Sequence, residues 1–193
     1  MNKDIPINEV VKRIVNFNCS LGDFWMNAKG WAPEEAANLL SRSRLDWQKP
    51  LSYCLYQWLE DSTNEDSDGR LILAWSNLGS LIEGTMKLLL GVYYKDYLDD
   101  PKPVKENGKL AEPDTLMLDQ IRQFFKRRIW NEKDLWDEWI SHIQQRRNAI
   151  HAFKDREIGT FEEYQNDLRI YLDLLRYVTH QIPYPDEIYR PAF

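Results

Sequence analysis

The chain has 193 residues, a length that one compact domain can accommodate without a disulfide or a metal ion to hold it together. Hydrophobic residues make up 43% of the sequence and charged residues 29%, which is the composition of a globular protein. The formal net charge of −6 excludes a protein that binds nucleic acid through its overall charge.

Neither a metal centre nor a membrane segment is indicated. The two cysteines, Cys19 and Cys54, have no Cys/His spacing typical of a metal site, and we expect both to be buried free thiols. The first residues lack the apolar core of a signal peptide, and no run approaches the roughly 18 apolar residues of a membrane span. We therefore expect a cytoplasmic protein that contacts no membrane and needs no cofactor.

Apolar residues at steps of three and four predict amphipathic helices through the first 60 residues. One helix begins near Ile7. Two more follow Pro33 and Pro50, and Pro33 precedes two glutamates in the arrangement typical of a first helical turn. The polar run DSTNEDSDG predicts a loop after them. We interpret residues 1–69 as an N-terminal helical addition packed on the same core as the rest.

The longest predicted helix runs from Arg70 to about Tyr97. Its apolar stripe consists of Leu71, Trp75, Leu78, Ile82, Thr85 and Leu89, widened by Leu81, Leu88 and Val92. Such a helix should be central and buried on more than one side. The proline-rich run DDPKPVKENGKLAEPD then predicts an exposed connection.

Three helices are predicted in the remainder. One begins near Asp114, the next runs from about Lys133 through Ile150, and the last begins after Thr160. Glu163 follows Thr160 by three residues, the capping-box spacing in which each side chain binds the other residue's free backbone amide. The run PYPDEIYRPAF predicts an extended tail. With no alternating strand of useful length, the fold class is all-α, a bundle of five to seven helices.

Positive charge is concentrated in one part of the chain. The segment from Arg122 to His151 contains seven basic and four acidic residues, an excess of three positive charges on an otherwise acidic protein. Within it, the stretch QQRRNAIHAF places Arg146, Arg147, Asn148 and His151 within six positions. A guanidinium matches two phosphate oxygens and stays charged, and an imidazole exchanges protons near neutral pH. The pair therefore suits a phosphodiester substrate.

The spacing of these residues leaves the working arginine open. Residues four apart on a helix share a face, which favours Arg147 as the partner of His151. Arg146 lies about 140° around the axis from His151, but its long side chain can still converge with the histidine on one ligand.

An arginine followed after four to six residues by a histidine, near the start of a late helix, resembles the motif of HEPN domains. Arg146 and His151 fit with four residues between them, whereas the polar residue usual after the arginine fits Arg147 followed by Asn148. The helix of AWSNLGSLIEGTMKLLL is similar to the long helix of such domains, which often carries a glutamate followed by a lysine, here Glu83 and Lys87. The resemblance covers roughly residues 70–182 and implies a HEPN-like helical bundle over 70–193.

The resemblance also implies a function, a metal-independent endoribonuclease. His151 would act in acid–base catalysis and Arg146 would hold the phosphate, with Arg147, Asn148 and Glu83 in support. The substrate's own 2′-hydroxyl would attack, leaving a 2′,3′-cyclic phosphate and a 5′-hydroxyl. The implied partners are RNA, a second copy of the chain that completes a composite site, and an antitoxin or other protein partner in a toxin or antiviral-defence role.

Each candidate residue also has a structural interpretation. His151 could cap a helix, Arg146 and Arg147 could pair with acids of a neighbouring helix, and Glu83 is expected to form an ion pair with one of those arginines. Substrate binding by Lys126, Arg127 and Arg128 requires that they share a cleft with His151, because such runs are usually solvated. We assign His142 and His180 to the surface or to packing. The alternative function is a module that binds RNA, a nucleotide or a protein without catalysis.

Overall fold

The computed structural model describes residues 5–60, 64–131, 133–151 and 153–183 of the chain. These residues form eight α-helices: α1 (Ile7–Met26), α2 (Glu34–Arg42), α3 (Gln48–Cys54), α4 (Ser67–Val92), α5 (Tyr94–Leu98), α6 (Leu118–Arg128), α7 (Trp136–Arg147) and α8 (Phe161–Gln181). Strands β1 (Lys105–Glu106) and β2 (Lys109–Leu110) form a small antiparallel hairpin. The all-α fold class is therefore confirmed.

Helix α4 is the centre of the bundle, and the stripe predicted for it is buried throughout. Leu71, Trp75, Leu78, Ile82, Thr85 and Leu89 are each no more than 3% exposed. Helices α7 and α8 pack against α4, and α1 packs against α8. Glycine at position 79 permits the approach of α7, because a Cβ there would lie 2.6 Å from Cδ of Arg147.

The helix expected from Arg70 to Tyr97 is divided in two. The backbone at Tyr93 leaves the helical region (φ −94°, ψ 37°), so α4 ends at Val92 and α5 continues in a new direction. This break adds one helix to the number expected. The connection after α5 contains Asn107 and Gly108, both with positive φ, which is the turn that joins two short antiparallel strands.

Residues from both halves of the sequence contribute to one hydrophobic core. Val11 and Ile14 of α1 are fully buried in the same cluster as Leu168 and Leu175 of α8. The division into an addition and a HEPN-like bundle at residue 69 stays a prediction. Cys19 and Cys54 are free thiols, as expected, although both are partly rather than fully buried.

Helix α8 begins as its capping box predicts. The amide of Glu163 donates to Oγ1 of Thr160 at 3.2 Å, and the amide of Thr160 donates to Oε2 of Glu163 at 2.9 Å. The predicted tail begins at Pro183, and its residues 184–193 lie outside the part of the chain that the structure describes. None of the helices in the described ranges has the length and apolar character required to cross a membrane.

Candidate active site at the end of helix α7

Helix α7 ends at Arg147, and His151 lies beyond it. A 3-10 turn from Asn148 to Ile150 follows the helix, and the amide of His151 donates to the carbonyl oxygen of Asn148 at 3.2 Å. The tighter turn rotates the chain differently from an α-helix. The expectation that Arg147 and His151 share one face of an α-helix is therefore wrong.

The Arg146 side chain is buried, with 7% of its surface exposed. Its Nη2 lies 3.3 Å from Oε2 of Glu163 and 3.4 Å from Oε1 of Glu157. Both distances are at the long end for charged hydrogen bonds. Nε and Nη1 have no hydrogen-bond partner among the described residues. A guanidinium has five N–H donors, so three donors of a buried cation stay unpaired.

Nε and Nη1 are themselves shielded from solvent. Arg146 is also part of the lining of an open polar cavity of about 360 Å³. Its lining consists of His142, Gln145, Arg146, Asp155, Arg156 and Glu157. Nε of Arg156 is also buried without a partner among the described residues. The lining does not include His151, so this cavity brings Arg146 together with His142 instead.

His142 is paired with a buried carboxylate. Its Nε2 lies 3.1 Å from Oδ2 of Asp167, while Oδ1 of Asp167 accepts a hydrogen bond of 2.8 Å from the indole N–H of Trp139. The Asp167 side chain is 9% exposed and that of His142 is 38% exposed. Trp75 packs edge-on against the imidazole, with the ring centroids 5.9 Å apart. The imidazole is thus held from two sides and open to solvent elsewhere.

Arg147 points to α4 and forms a structural ion-pair network there. Its Nη1 donates to Oε2 of Glu83 at 2.6 Å, and Nζ of Lys87 lies 2.9 Å from Oε1 of the same carboxylate. Burial of Glu83 acts to raise its pKa, but the hydrogen bonds from Arg147 and Lys87 outweigh it and hold that pKa below its ordinary value. The ion pair expected between Glu83 and an arginine of the stretch is confirmed, and it involves Arg147.

His151 is exposed, and its side chain has no hydrogen bond or ion pair within the described part of the chain. Asn148, at the start of the 3-10 turn, is partly buried. Two exposed apolar residues flank His151. Ile150 is 47% exposed, and Phe153 is fully exposed with a backbone φ of 74°, a conformation that L residues rarely adopt.

The basic run at the end of α6 is engaged by neighbouring groups. Nζ of Lys126 lies 2.6 Å from Asp137, and Nε of Arg128 lies 2.7 Å from Asp100. Arg127 makes a long 3.4 Å contact to the carbonyl oxygen of Lys102. Arg128 lines a different cavity, beside Tyr97 and Phe124, rather than the one around Arg146. Substrate binding by this run stays a prediction that these contacts do not support.

His142, Asp167 and Arg156 are not among the site residues expected from the sequence. His142 carries one signal that could have added it to them, since it precedes Arg146 by four positions and both lie inside α7. Asp167 carried no such signal, because its pairing with His142 depends on how α8 packs on α7. Arg156 was not distinguishable from any other charged residue of a loop.

Within the described ranges, no group of three or more His, Cys, Asp or Glu side chains is arranged to hold a metal ion. The polar cavity instead combines an imidazole, two guanidiniums and carboxylates, a set that can bind an oxyanion and transfer a proton. Comparisons of the chain with models of protein families, with curated proteins and with solved structures found no significant match.

Proposed function

We propose that this protein cleaves RNA by a metal-independent reaction at the polar cavity around Arg146. One observation carries the proposal: Arg146, a buried arginine with three N–H donors unpaired within the described residues, is part of the lining of an open polar cavity. Leaving donors of a buried cation unpaired costs free energy that a bound oxyanion would offset. A phosphodiester supplies two such oxygens in the spacing that an arginine fork matches.

The reaction needs no external nucleophile. The 2′-hydroxyl of the substrate attacks the adjacent phosphorus, the bond from phosphorus to the 5′-oxygen breaks, and a histidine accepts the 2′-hydroxyl proton. The departing 5′-oxygen takes a proton from solvent. Arg146 stabilises the extra negative charge that develops on the phosphorus oxygens. The products are a 2′,3′-cyclic phosphate and a 5′-hydroxyl.

The proposal includes a homodimer. It is supported by the exposed apolar side chains of Ile150 and Phe153, which a second copy could cover. His151 lies between them and would then stand at the interface, in keeping with the composite site that the HEPN resemblance implies. Arg147 and Asn148 would support His151 from positions beneath this surface, and Glu83 would orient Arg147 through their ion pair. A toxin, antitoxin-paired or defence role stays an implication of the resemblance alone.

The proposed function is tested with purified protein, a fluorescently labelled RNA oligonucleotide and EDTA. We expect cleavage in the presence of EDTA, cyclic-phosphate termini in the products, and no cleavage when the substrate is DNA of the same sequence. Arg146→Lys keeps the charge but loses the fork, so it should lower kcat by about 10²- to 10³-fold. Arg176→Lys, which changes an arginine paired with Asp173 on α8, is the control.

The second candidate function is binding without catalysis. Two carboxylates near Arg146 favour binding without catalysis. Glu157 and Glu163 already contact Nη2 of Arg146 and reduce the positive charge available to a transition state. RNA that binds tightly but stays intact, with Arg146→Lys weakening the binding, would support this candidate. Absence of both binding and cleavage would overturn the two candidates together.

A further inference from the structure

His142 and Arg146 lie one turn apart on the same face of α7. They are four positions apart in the sequence, and both are inside the helix, where such a pair has Cβ atoms about 5–6 Å apart. Both side chains line the polar cavity. This pairing differs from that of Arg146 with His151, which is outside the helix and outside the lining of the cavity.

The tautomer of His142 follows from its partner. A carboxylate only accepts hydrogen bonds, so the 3.1 Å contact with Oδ2 of Asp167 assigns the ring proton to Nε2. In the neutral imidazole, Nδ1 then carries the lone pair, and it has no hydrogen-bond partner among the described residues. Asp167 cannot rotate freely, because its other oxygen accepts the indole N–H of Trp139. The imidazole is therefore oriented by a carboxylate that is itself fixed.

We infer that His142 is the proton-transfer residue of the cavity, with Asp167 as its positioning residue and Arg146 as the phosphate ligand. The inference rests on the proposed cleavage of RNA. Nδ1 of His142 takes the proton of the attacking 2′-hydroxyl as the bond from that oxygen to phosphorus forms and the bond to the 5′-oxygen breaks. Asp167 stabilises the resulting imidazolium through the Nε2 proton.

Arg156 extends the same cavity. Its buried Nε lacks a partner within the described ranges, and the residue lines the cavity beside Arg146. Two arginines that line one cavity together with an imidazole provide a set of donors for the oxygens of a single phosphate. Asp155 and Glu157 add negative charge to the same lining, so a bound phosphate must displace the Glu157 carboxylate from Nη2 of Arg146.

The first test compares three histidine substitutions on the full chain, with cleavage of the RNA oligonucleotide as the readout. We expect His142→Gln to lower kcat by about 10²- to 10⁴-fold, the usual contribution of a general base. His180→Gln changes an exposed histidine at the end of α8 and should leave kcat unchanged. His151→Gln should lose less than His142→Gln. A larger loss for His151→Gln, with His142→Gln retaining activity, overturns the inference.

The second test separates a catalytic role from a structural one. Asp167→Asn keeps the shape of the side chain but removes the charge, so it should lower kcat with little change in KM and move the acid limb of the pH profile. The charged groups around His142 are Asp167, which contacts it, and Arg146, Arg156, Asp155 and Glu157, which line the same cavity. Thermal unfolding of each variant verifies that the fold is retained. An unchanged kcat and pH profile in folded Asp167→Asn contradicts the positioning role.

Nitrogen-15 NMR of the imidazole gives a readout without turnover. We expect Nε2 to be the protonated nitrogen in the wild type, and inorganic phosphate to shift the His142 signals in the wild type but not in Arg146→Lys. Suppose that the wild type cleaves RNA, that His142 does not respond to phosphate and that His142→Gln keeps full activity. This combination overturns the inference and leaves the proposed function intact. No cleavage by the wild type overturns both, whatever the phosphate response.

Discussion

The indole N–H of Trp75, in the middle of α4, donates a 2.7 Å hydrogen bond to the carbonyl oxygen of Ile158. Ile158 belongs to the segment between α7 and α8 that carries Asp155, Arg156 and Glu157 over the polar cavity. The same indole packs in a T-shaped arrangement against the imidazole of His142. One fully buried side chain therefore holds both the histidine and the loop in place.

Trp75→Phe should loosen this loop. The substitution keeps an aromatic ring but removes the hydrogen bond and some volume, which together cost on the order of 2 kcal/mol of unfolding free energy. Hydrogen exchange should become faster for the amides of residues 155–160. Trp130→Phe is the matched control, because the indole N–H of Trp130 has no partner among the described residues. Equal exchange of the loop in both variants would contradict the role of the hydrogen bond.

Local features of the fold could be predicted from the sequence because they depend on neighbouring residues. The stripe of α4 and the Thr160–Glu163 capping box are of this kind, and both are confirmed. The end of α7 at Arg147 was not predicted, since Asn148 to Ile150 suit a helix almost as well as a 3-10 turn. That boundary sets the position of His151, whereas His142 and Arg146 share a face of α7 wherever the helix ends.

The candidate site was predictable only in part. The chemistry of Arg146 makes it a candidate from the sequence alone, and its catalytic role stays a prediction. Its environment depends on Glu157 and Glu163, which reach it from later in the chain. His142 and Asp167 are 25 residues apart and meet only because α7 and α8 pack together. No periodic pattern in the sequence indicates that two residues so far apart in the chain come into contact.

Glu157→Gln should strengthen anion binding at the cavity. Glu157 is 85% exposed and competes with a ligand for Nη2 of Arg146. An exposed ion pair is weak, so we expect the Kd for inorganic phosphate to fall only about threefold. Titration calorimetry at low salt measures the change. Glu162→Gln removes the same charge from an exposed position in the first turn of α8, and an equal effect there would mean that only net charge matters.

Gly159→Ala should disturb Arg146 directly. Gly159 has a φ of 70°, and a Cβ there would lie 2.9 Å from Cζ of Arg146 and closer still to Glu163. We expect a loss of about 1–3 kcal/mol of unfolding free energy and weaker phosphate binding. Gly108→Ala is the matched control, since Gly108 has a φ of 77° with open space around it. Urea denaturation of both variants separates the steric clash from the cost of the backbone conformation. Equal losses of unfolding free energy in the two variants would contradict the clash with Arg146 and Glu163.

Glu83→Gln should destabilise the fold by on the order of 2 kcal/mol at neutral pH, because Arg147 and Lys87 lose a partly buried carboxylate. The lowered pKa of Glu83 means that its contribution is fully present above the unfolded value of about 4.3 and is lost as the pH falls through the folded pKa. The difference between wild type and variant should therefore shrink in acid.

Chemical denaturation at neutral pH and at about pH 3 measures this difference. Glu9→Gln is the comparison, since Glu9 pairs with Lys12 and Arg13 on the exposed surface of α1 and should contribute little. A difference for Glu83→Gln that does not change with pH would contradict the ion-pair explanation.

The carboxylate of Glu163 serves two neighbours at once, since the same Oε2 accepts the amide of Thr160 and contacts Nη2 of Arg146. If an anion binds Arg146 and displaces it from Glu163, this oxygen accepts only the amide of Thr160 at the start of α8. Occupancy of the cavity and fraying of that turn are then thermodynamically linked, and the linkage is reciprocal. A change confined to the beginning of α8 should thus alter how tightly the cavity holds its ligand, although no atom of the ligand touches that backbone.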